Sequence, residues 1–105
     1  MPPTLQQFKA QLFRALAHEV RVRILEEIRD GERTVSELQE ALGVSGSNMS
    51  QHLAVLRGEG IVLARRDGTN VLYSVADERF FSLLDDARLI FEQRISAGAA
   101  LLRER

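Results

Sequence analysis

The sequence predicts a mainly α-helical fold with one small β-hairpin: a winged helix-turn-helix in which four helices precede the hairpin and a long fifth helix follows it. Three observations predict this. Two short amphipathic segments, about 35–42 and 47–58, are separated by little more than Gly43-Val44-Ser45-Gly46, and two helices joined by so small a turn form a helix-turn-helix. Directly after them, two β-rich runs flank Asp67-Gly68-Thr69-Asn70, which reads as a hairpin. A helical pattern then runs unbroken from about 78 to 103, long for so small a body. No linker, repeat or low-complexity stretch interrupts the 105 residues, so they read as one domain: helix-turn-helix at about 34–58, wing at about 61–75, C-terminal helix at about 78–103.

Each element has its own signal. Leu5, Phe8, Leu12, Phe13 and Leu16 recur at helical spacing and predict a first helix over 4–17. Val20, Ile24, Leu25 and Ile28 do the same over 19–29, with His18 placed as a cap and Asp30-Gly31 as the stop. Thr34-Val35-Ser36-Glu37 has the capping-box form, a Thr N-cap with Glu three positions on. Val35, Leu38 and Leu42 follow on one face, and Gly43 ends that helix. Ser45 or Ser47 is the candidate cap of the next one. In the wing, Ile61 to Ala64 is apolar, Arg65-Arg66 is basic, and Val71, Tyr73 and Val75 alternate with period two. Asp77-Glu78 places negative charge in the first turn of the last helix, where the helix dipole favours it.

That last helix carries more apolar surface than a monomer of this size covers. Phe80, Leu84, Ala87, Phe91, Ile95 and Leu102 form one stripe, for the body of the domain. Phe81, Leu83, Ile90 and Leu101 add a second. With Leu5, Phe8 and Leu12 of the first helix, this second surface predicts a homodimer through the first and last helices.

Composition narrows the function. The chain is 45% hydrophobic and 28% charged, as ordinary soluble domains are, and a net charge of -1 with so many apolar residues argues against disorder. Cysteine is absent, which removes disulfides, thiolate ligands and thiol redox sensing. No apolar run approaches the roughly 20 residues of a membrane span, and the N-terminus lacks the basic and apolar regions of a signal peptide. A cytoplasmic location without membrane contact is the expectation. No Gly-rich phosphate loop, nucleophile elbow or Ser-His-Asp set is present. Glu26-Glu27 and Asp85-Asp86 point 100° apart on their helices and do not converge as catalytic dyads. Neither an enzyme nor a cofactor is expected. His18 and His52 alone fall short of the three or four converging ligands that a metal site needs.

The fourth helix carries the functional signal. At 100° per residue Met49, Leu53 and Leu56 share the inward face. Ser47, Gln51, Ala54 and Gly58 lie opposite, with Asn48 and Val55 on one flank and Ser50 and Arg57 on the other. The outward face is short and polar, with no carboxylate before Glu59. A solvated helix face is the plain reading of this pattern. The sharper one is entry into a DNA groove, where a carboxylate would be repelled by phosphates while Asn and Gln reach adenine and Ser reaches base or backbone. His52, at the core edge, reaches either a phosphate or a neighbouring helix. On the wing, Arg65, Arg66 and Thr69 suit phosphates or the minor groove, although edge-strand charge also discourages sheet-to-sheet pairing. Thirteen of the 14 basic residues are Arg, whose planar fork fits phosphate and guanine. The DNA-contacting set predicted is therefore Ser47, Asn48, Ser50, Gln51, His52, Arg57, Arg65, Arg66 and Thr69. The partner is double-stranded DNA, read as two half-sites of an inverted repeat about one or two helical turns apart. A winged-helix module that binds protein instead is the competing reading, favoured by the near-zero net charge.

Three stretches resemble the ArsR/SmtB family of bacterial winged-helix repressors. Residues 15–25, Ala-Leu-Ala-His-Glu-Val-Arg-Val-Arg-Ile-Leu, look like the family's opening segment. Thr34 to Leu38 and Ser50 to Gly60 look like its helix-turn-helix, including the Ser-x-His-Leu signature of Ser50, His52 and Leu53. Arg65 to Gly68 with Val71 to Ser74 look like its wing. The resemblance implies a dimeric repressor of its own or a neighbouring operon, with Ser47, Asn48, Ser50, Gln51 and His52 approaching DNA. Where metal-sensing members carry a Cys-x-Cys-type pair, this chain has Val35, Ser36, Glu37 and Gln39, and its last helix offers Asp85, Asp86 and Glu92 without His. Glu19 stands where Pro is frequent. Arsenic, zinc, cadmium and persulfide sensing are not expected, and the effector is left open.

Overall fold

A computed structural model describes residues 1–104, and the side chains of residues 1–98. The elements run α1 (Leu5–Leu16), α2 (Glu19–Glu27), β1 (Arg33–Thr34), α3 (Val35–Leu42), α4 (Gly46–Gly58), β2 (Val62–Asp67), β3 (Asn70–Val75) and α5 (Arg79–Glu104). Local chemistry sets most helix starts. At α1, Thr4 Oγ1 accepts from the Gln7 N–H at 3.1 Å while Gln7 Oε1 accepts from the Thr4 N–H at 2.8 Å. The same reciprocal box opens α3, where Thr34 Oγ1 accepts from Glu37 N–H at 3.1 Å and Glu37 Oε1 from Thr34 N–H at 2.9 Å. His18 caps α2 through Nδ1, which accepts from the Val20 N–H at 3.1 Å. Gly43 ends α3 at φ +67°, a left-handed conformation that glycine adopts without a Cβ penalty.

Two caps differ from expectation. Ser45 stands at the N-cap of α4, but its side chain makes no capping bond; the helix begins at Gly46, so Ser47 already lies inside the first turn. Asp77 and Glu78 precede α5 instead of sitting in its first turn. The Asp77 carboxylate accepts from the Arg79 N–H at 2.9 Å and from the Arg79 guanidinium at 2.6 Å. These bonds hold it below the usual carboxylate range, at about 2.

The expected hairpin belongs to a three-stranded antiparallel sheet ordered β1-β3-β2. β1 pairs Arg33 with Tyr73 and Thr34 with Leu72; at two residues it carries no periodicity that sequence could register. In the β2–β3 ladder Val62 faces Val75 and Asp67 faces Asn70, leaving Gly68 and Thr69 as the loop. Gly68, at φ +64°, takes the first loop position, where a II′ turn places glycine.

The core lies between α2, α3, α4 and the sheet. Ile24, Leu25 and Ile28 meet Leu38 and Leu42, Met49, Leu53 and Leu56, and Ile61 and Val62, with Ala15 from α1 and Phe81 from α5. No buried polar or charged residue occurs among the described residues, so little desolvation offsets the packing.

Phe81 corrects the expected interface: it is buried inside the protomer, at 6% exposure. The reason is the phase set where α5 meets the end of α2. Arg29 grips Asp85 with two bonds of 2.7 and 2.8 Å, and its guanidinium lies 5.4 Å from the centre of the Phe81 ring. Phe81 and Asp85 are four residues apart and share one helix face, so the side of α5 that buries Phe81 in the core also brings Asp85 to Arg29. The expected body stripe is corrected too. Phe80 and Leu84 pack partly against the core, but Phe91 and Ile95 are 63% and 58% exposed, because α5, 26 residues or about 39 Å long, outruns the body. Leu101 and Leu102 lie outside the residues whose side chains are described.

Candidate nucleic-acid interface

The inward residues Met49, Leu53 and Leu56 are buried, and this phase turns the rest of α4 outward. Ser47, Asn48, Ser50, Gln51, Ala54 and Arg57 are all exposed. No acidic residue occurs from Gly46 to Gly58. The helix therefore presents a ridge of hydroxyl and amide groups with a methyl at Ala54, a set that reads donors, acceptors and thymine methyls in a major groove.

One flank of this ridge faces the wing. Ser50, Ala54 and Arg57 line a cleft of about 470 Å³ with Val35 and Tyr73. Sequence alone groups Arg65 with Arg66; the structure separates them. Neighbours on a strand point to opposite faces, and the inward face of β2 carries Val62 and Ala64, opposite Val75 and Tyr73. Arg66, opposite Val71, continues that face toward α4. Arg65 lies on the other face and is bound by Glu32 through two bonds of 2.7 and 2.8 Å. The Arg65 hydrogen bonds hold the Glu32 carboxyl below its ordinary range. Arg65 thus tethers the wing to the segment before β1 and is not a free cation. Thr69 is exposed at the wing tip. Tyr73 and Glu32 escaped the sequence reading. The period-two pattern already put Tyr73 on the inward face, but nothing local links residue 32 to residue 65.

The other flank faces α2. His52 does not extend along the outward ridge: its ring rests 4.3 Å from that of His18. Burial first, then the nearby charges of His18 and Arg21, push His52 below the usual histidine range. Among the described residues no group of three or more His, Cys, Asp or Glu side chains converges to hold a metal, and no helix is long and apolar enough to cross a membrane.

The family model for bacterial regulatory proteins of the arsR family matches residues 18–63. The HTH-type transcriptional regulator Rv0081 of Mycobacterium tuberculosis is 42% identical over 95% of this chain and 89% of its own length. The chain belongs to the ArsR family. Its fold agrees: the crystal structure of Rv0081 superposes with a TM-score of 0.81 over 90% of this chain and 96% of that one. A homodimeric winged helix-turn-helix DNA-binding domain from Mycobacterium bovis, 31% identical, gives 0.78 over 87% and 84%. A probable mercury resistance operon repressor of Streptomyces lividans is 40% identical over 92% of this chain and 78% of its own. The chain is a winged helix-turn-helix transcriptional regulator.

This ArsR-family protomer also exposes an apolar surface across α1 and α5. Phe8 and Leu12 share a groove with Phe80 and Leu83 beside Asp77 and Arg79. Leu5 on α1 and Ile90, Phe91 and Ile95 farther along α5 add apolar side chains, each more than half exposed. The expected interface residues Leu5, Phe8, Leu12, Leu83 and Ile90 lie on this surface, and Phe81 does not.

Proposed function

We propose that the protein is a two-fold homodimer, joined through α1 and α5, that represses its own or a neighbouring operon by binding an inverted-repeat operator in cytoplasmic duplex DNA. In each protomer residues 34–58 form the reading unit. Ser47, Asn48, Ser50 and Gln51 meet base edges and backbone in the major groove. Arg57, Arg66 and Thr69 meet phosphates on the wing side, and His52 acts from the α2 side. Arg65 acts through the wing's position, by its pair with Glu32. The protein is a regulator without catalysis of its own. The observation that carries this reading is the exposed, acid-free ridge of α4 flanked by Arg57 and Arg66. The repressor sign is supported by the Streptomyces lividans relative; its metal is not carried over, since this sequence holds no cysteine.

A mobility-shift titration against the fragment upstream of the gene tests it. Affinity should fall steeply with salt as counterions are released. Gln51→Ala with Arg66→Ala should cost roughly 2–4 kcal/mol of binding, by analogy with lost base and phosphate contacts. Arg65→Ala should cost less and should leave the salt slope nearly unchanged. Unchanged affinity in the double variant removes the site assignment, and salt-insensitive or absent binding favours a protein partner.

A further inference from the structure

We propose that the α2 side of the recognition helix is a second DNA-backbone edge, in which His18 donates to a phosphate and His52 behind it takes up a proton as the complex forms. This rests on the DNA-binding reading above and adds residues and a proton linkage to it.

Geometry places the contact. His18 Nδ1 is occupied as acceptor of the Val20 N–H at 3.1 Å, so the ring's proton sits on Nε2, a free donor on an exposed side chain. The ring leans on His52 at 4.3 Å, tilted by 49°. His52 follows Asn48 by one turn on the same flank of α4, so His18 stands beside the half of α4 that enters the groove first. N-terminal residues of a recognition helix contact base edges, so groups beside that end of α4 stand near the rim of the groove. A major groove about 12 Å wide has a phosphate strand on each side. Arg57 and Arg66 serve one strand, and the α2 edge faces the other.

Charge supports the same assignment. Arg21, one turn beyond His18, shares a cleft with Gln11 and Arg14 of α1 and with Val55 and Glu59 of α4, and its buried Nε has no hydrogen-bond partner. Glu19 and Arg21 of α2 are the charged groups nearest the two rings in the chain, and the cleft on the far side of Arg21 adds Arg14 of α1 and Glu59 of α4. Neither carboxylate pairs with these cations or with either histidine among the described residues. Two arginines, two carboxylates and the two histidines make up this edge, and Arg21 Nε is a buried donor without a partner among the described residues.

The proton is assigned to His52, since His18 Nδ1 is already engaged by the Val20 N–H. In the free protein burial first, and the Arg21 guanidinium among the nearby groups, hold His52 below the usual histidine range. That contribution to stability is present above pH 6.5 and is lost as pH falls through the lowered value. A bound phosphate reverses the local field, so DNA affinity moves the opposite way and rises as pH falls. The gain is bounded by how far the His52 titration midpoint differs between the free and bound states.

The test is fluorescence anisotropy with a fluorescein-labelled mixed-sequence duplex of about thirty base pairs at low salt, from pH 8 to 5.5. Affinity of the unsubstituted protein should rise about five- to tenfold on acidification. His18→Asn, which keeps a capping side chain, and His52→Gln should each flatten the rise, whereas Arg57→Ala should weaken binding at every pH and keep it. The imidazole NMR titration of the unsubstituted protein, with and without the duplex, reads His52 directly and needs no variant; its midpoint should move up on DNA. A flat profile, a rise retained in both histidine variants, or an unmoved midpoint overturns the proposal alone. No binding at any pH overturns the DNA reading and this proposal together.

Discussion

The two halves of the apolar surface in this chain have opposite fates. Ile24 and Leu25 on α2 are completely buried, whereas Phe91 and Ile95 on α5 are 63% and 58% exposed. Both sets recur at helical spacing, and both are large. The difference is geometric: α2 lies inside a ring of α3, α4 and the sheet, while α5 leaves that body after Asp85. The resulting protomer has a radius of gyration of 16.6 Å, against about 13 Å for a compact chain of this length. Its surface of 7661 Å² exceeds the roughly 5,900 Å² expected for a folded monomer of this mass. An amphipathic pattern marks a face that needs cover; whether the cover is the same chain or another copy depends on where the helix points.

That contrast breaks most sharply in the body. Ile24→Ala should destabilise the protein by about 3–4 kcal/mol, the transfer and cavity cost of a fully enclosed side chain, read by chemical denaturation; a loss below about 1 kcal/mol would show that the body is loosely packed. On α5 the effect should lie in association. Ile90→Glu with Phe91→Glu should convert a dimer to a monomer by analytical ultracentrifugation and weaken operator binding about a hundredfold, near 2.7 kcal/mol, as half-sites are read singly. The unsubstituted protein should show a concentration-dependent Tm, and the double variant should lose that dependence. A dimer surviving both charges would place the interface elsewhere. Thr34→Ala sharpens the body side, removing half of a capping box at a cost of about 1 kcal/mol. The smallest effect sits at the joint. Asp77 is held at about 2 by Arg79, so the stability it contributes is present above its ordinary range and is lost as pH falls through that value. Asp77→Asn should lower Tm slightly at neutral pH, and the difference from the unsubstituted protein should vanish near pH 2. A difference that persists in acid would assign the effect to packing.

Legibility in the sequence followed the range of the forces involved. The Thr34–Glu37 box, the His18 cap, the Gly43 stop and the Val71–Tyr73–Val75 alternation act within a few residues and were readable. The outward phase of α4 was readable too, because three inward residues determine the rest by rotation. Arg65 and Arg66 were indistinguishable as neighbours until Glu32, 33 positions away, bound one of them. Either side of α5 is apolar, and the packing of Phe81 into the distant core of α2, α3 and α4, with Arg29 meeting Asp85 on the same face, selects which side turns inward.

By itself, then, the amino-acid order determined which segments are helix or strand, where they begin, and that α4 offers an acid-free polar face, since hydrogen bonds between near neighbours and periodic burial specify these. Only the tertiary structure decided which arginine points toward α4, that His18 and His52 touch, that β1 completes the sheet, and which apolar residues of α5 are left for a partner. Those outcomes depend on contacts between positions far apart in the chain, and the folded arrangement alone brings them within reach of one another.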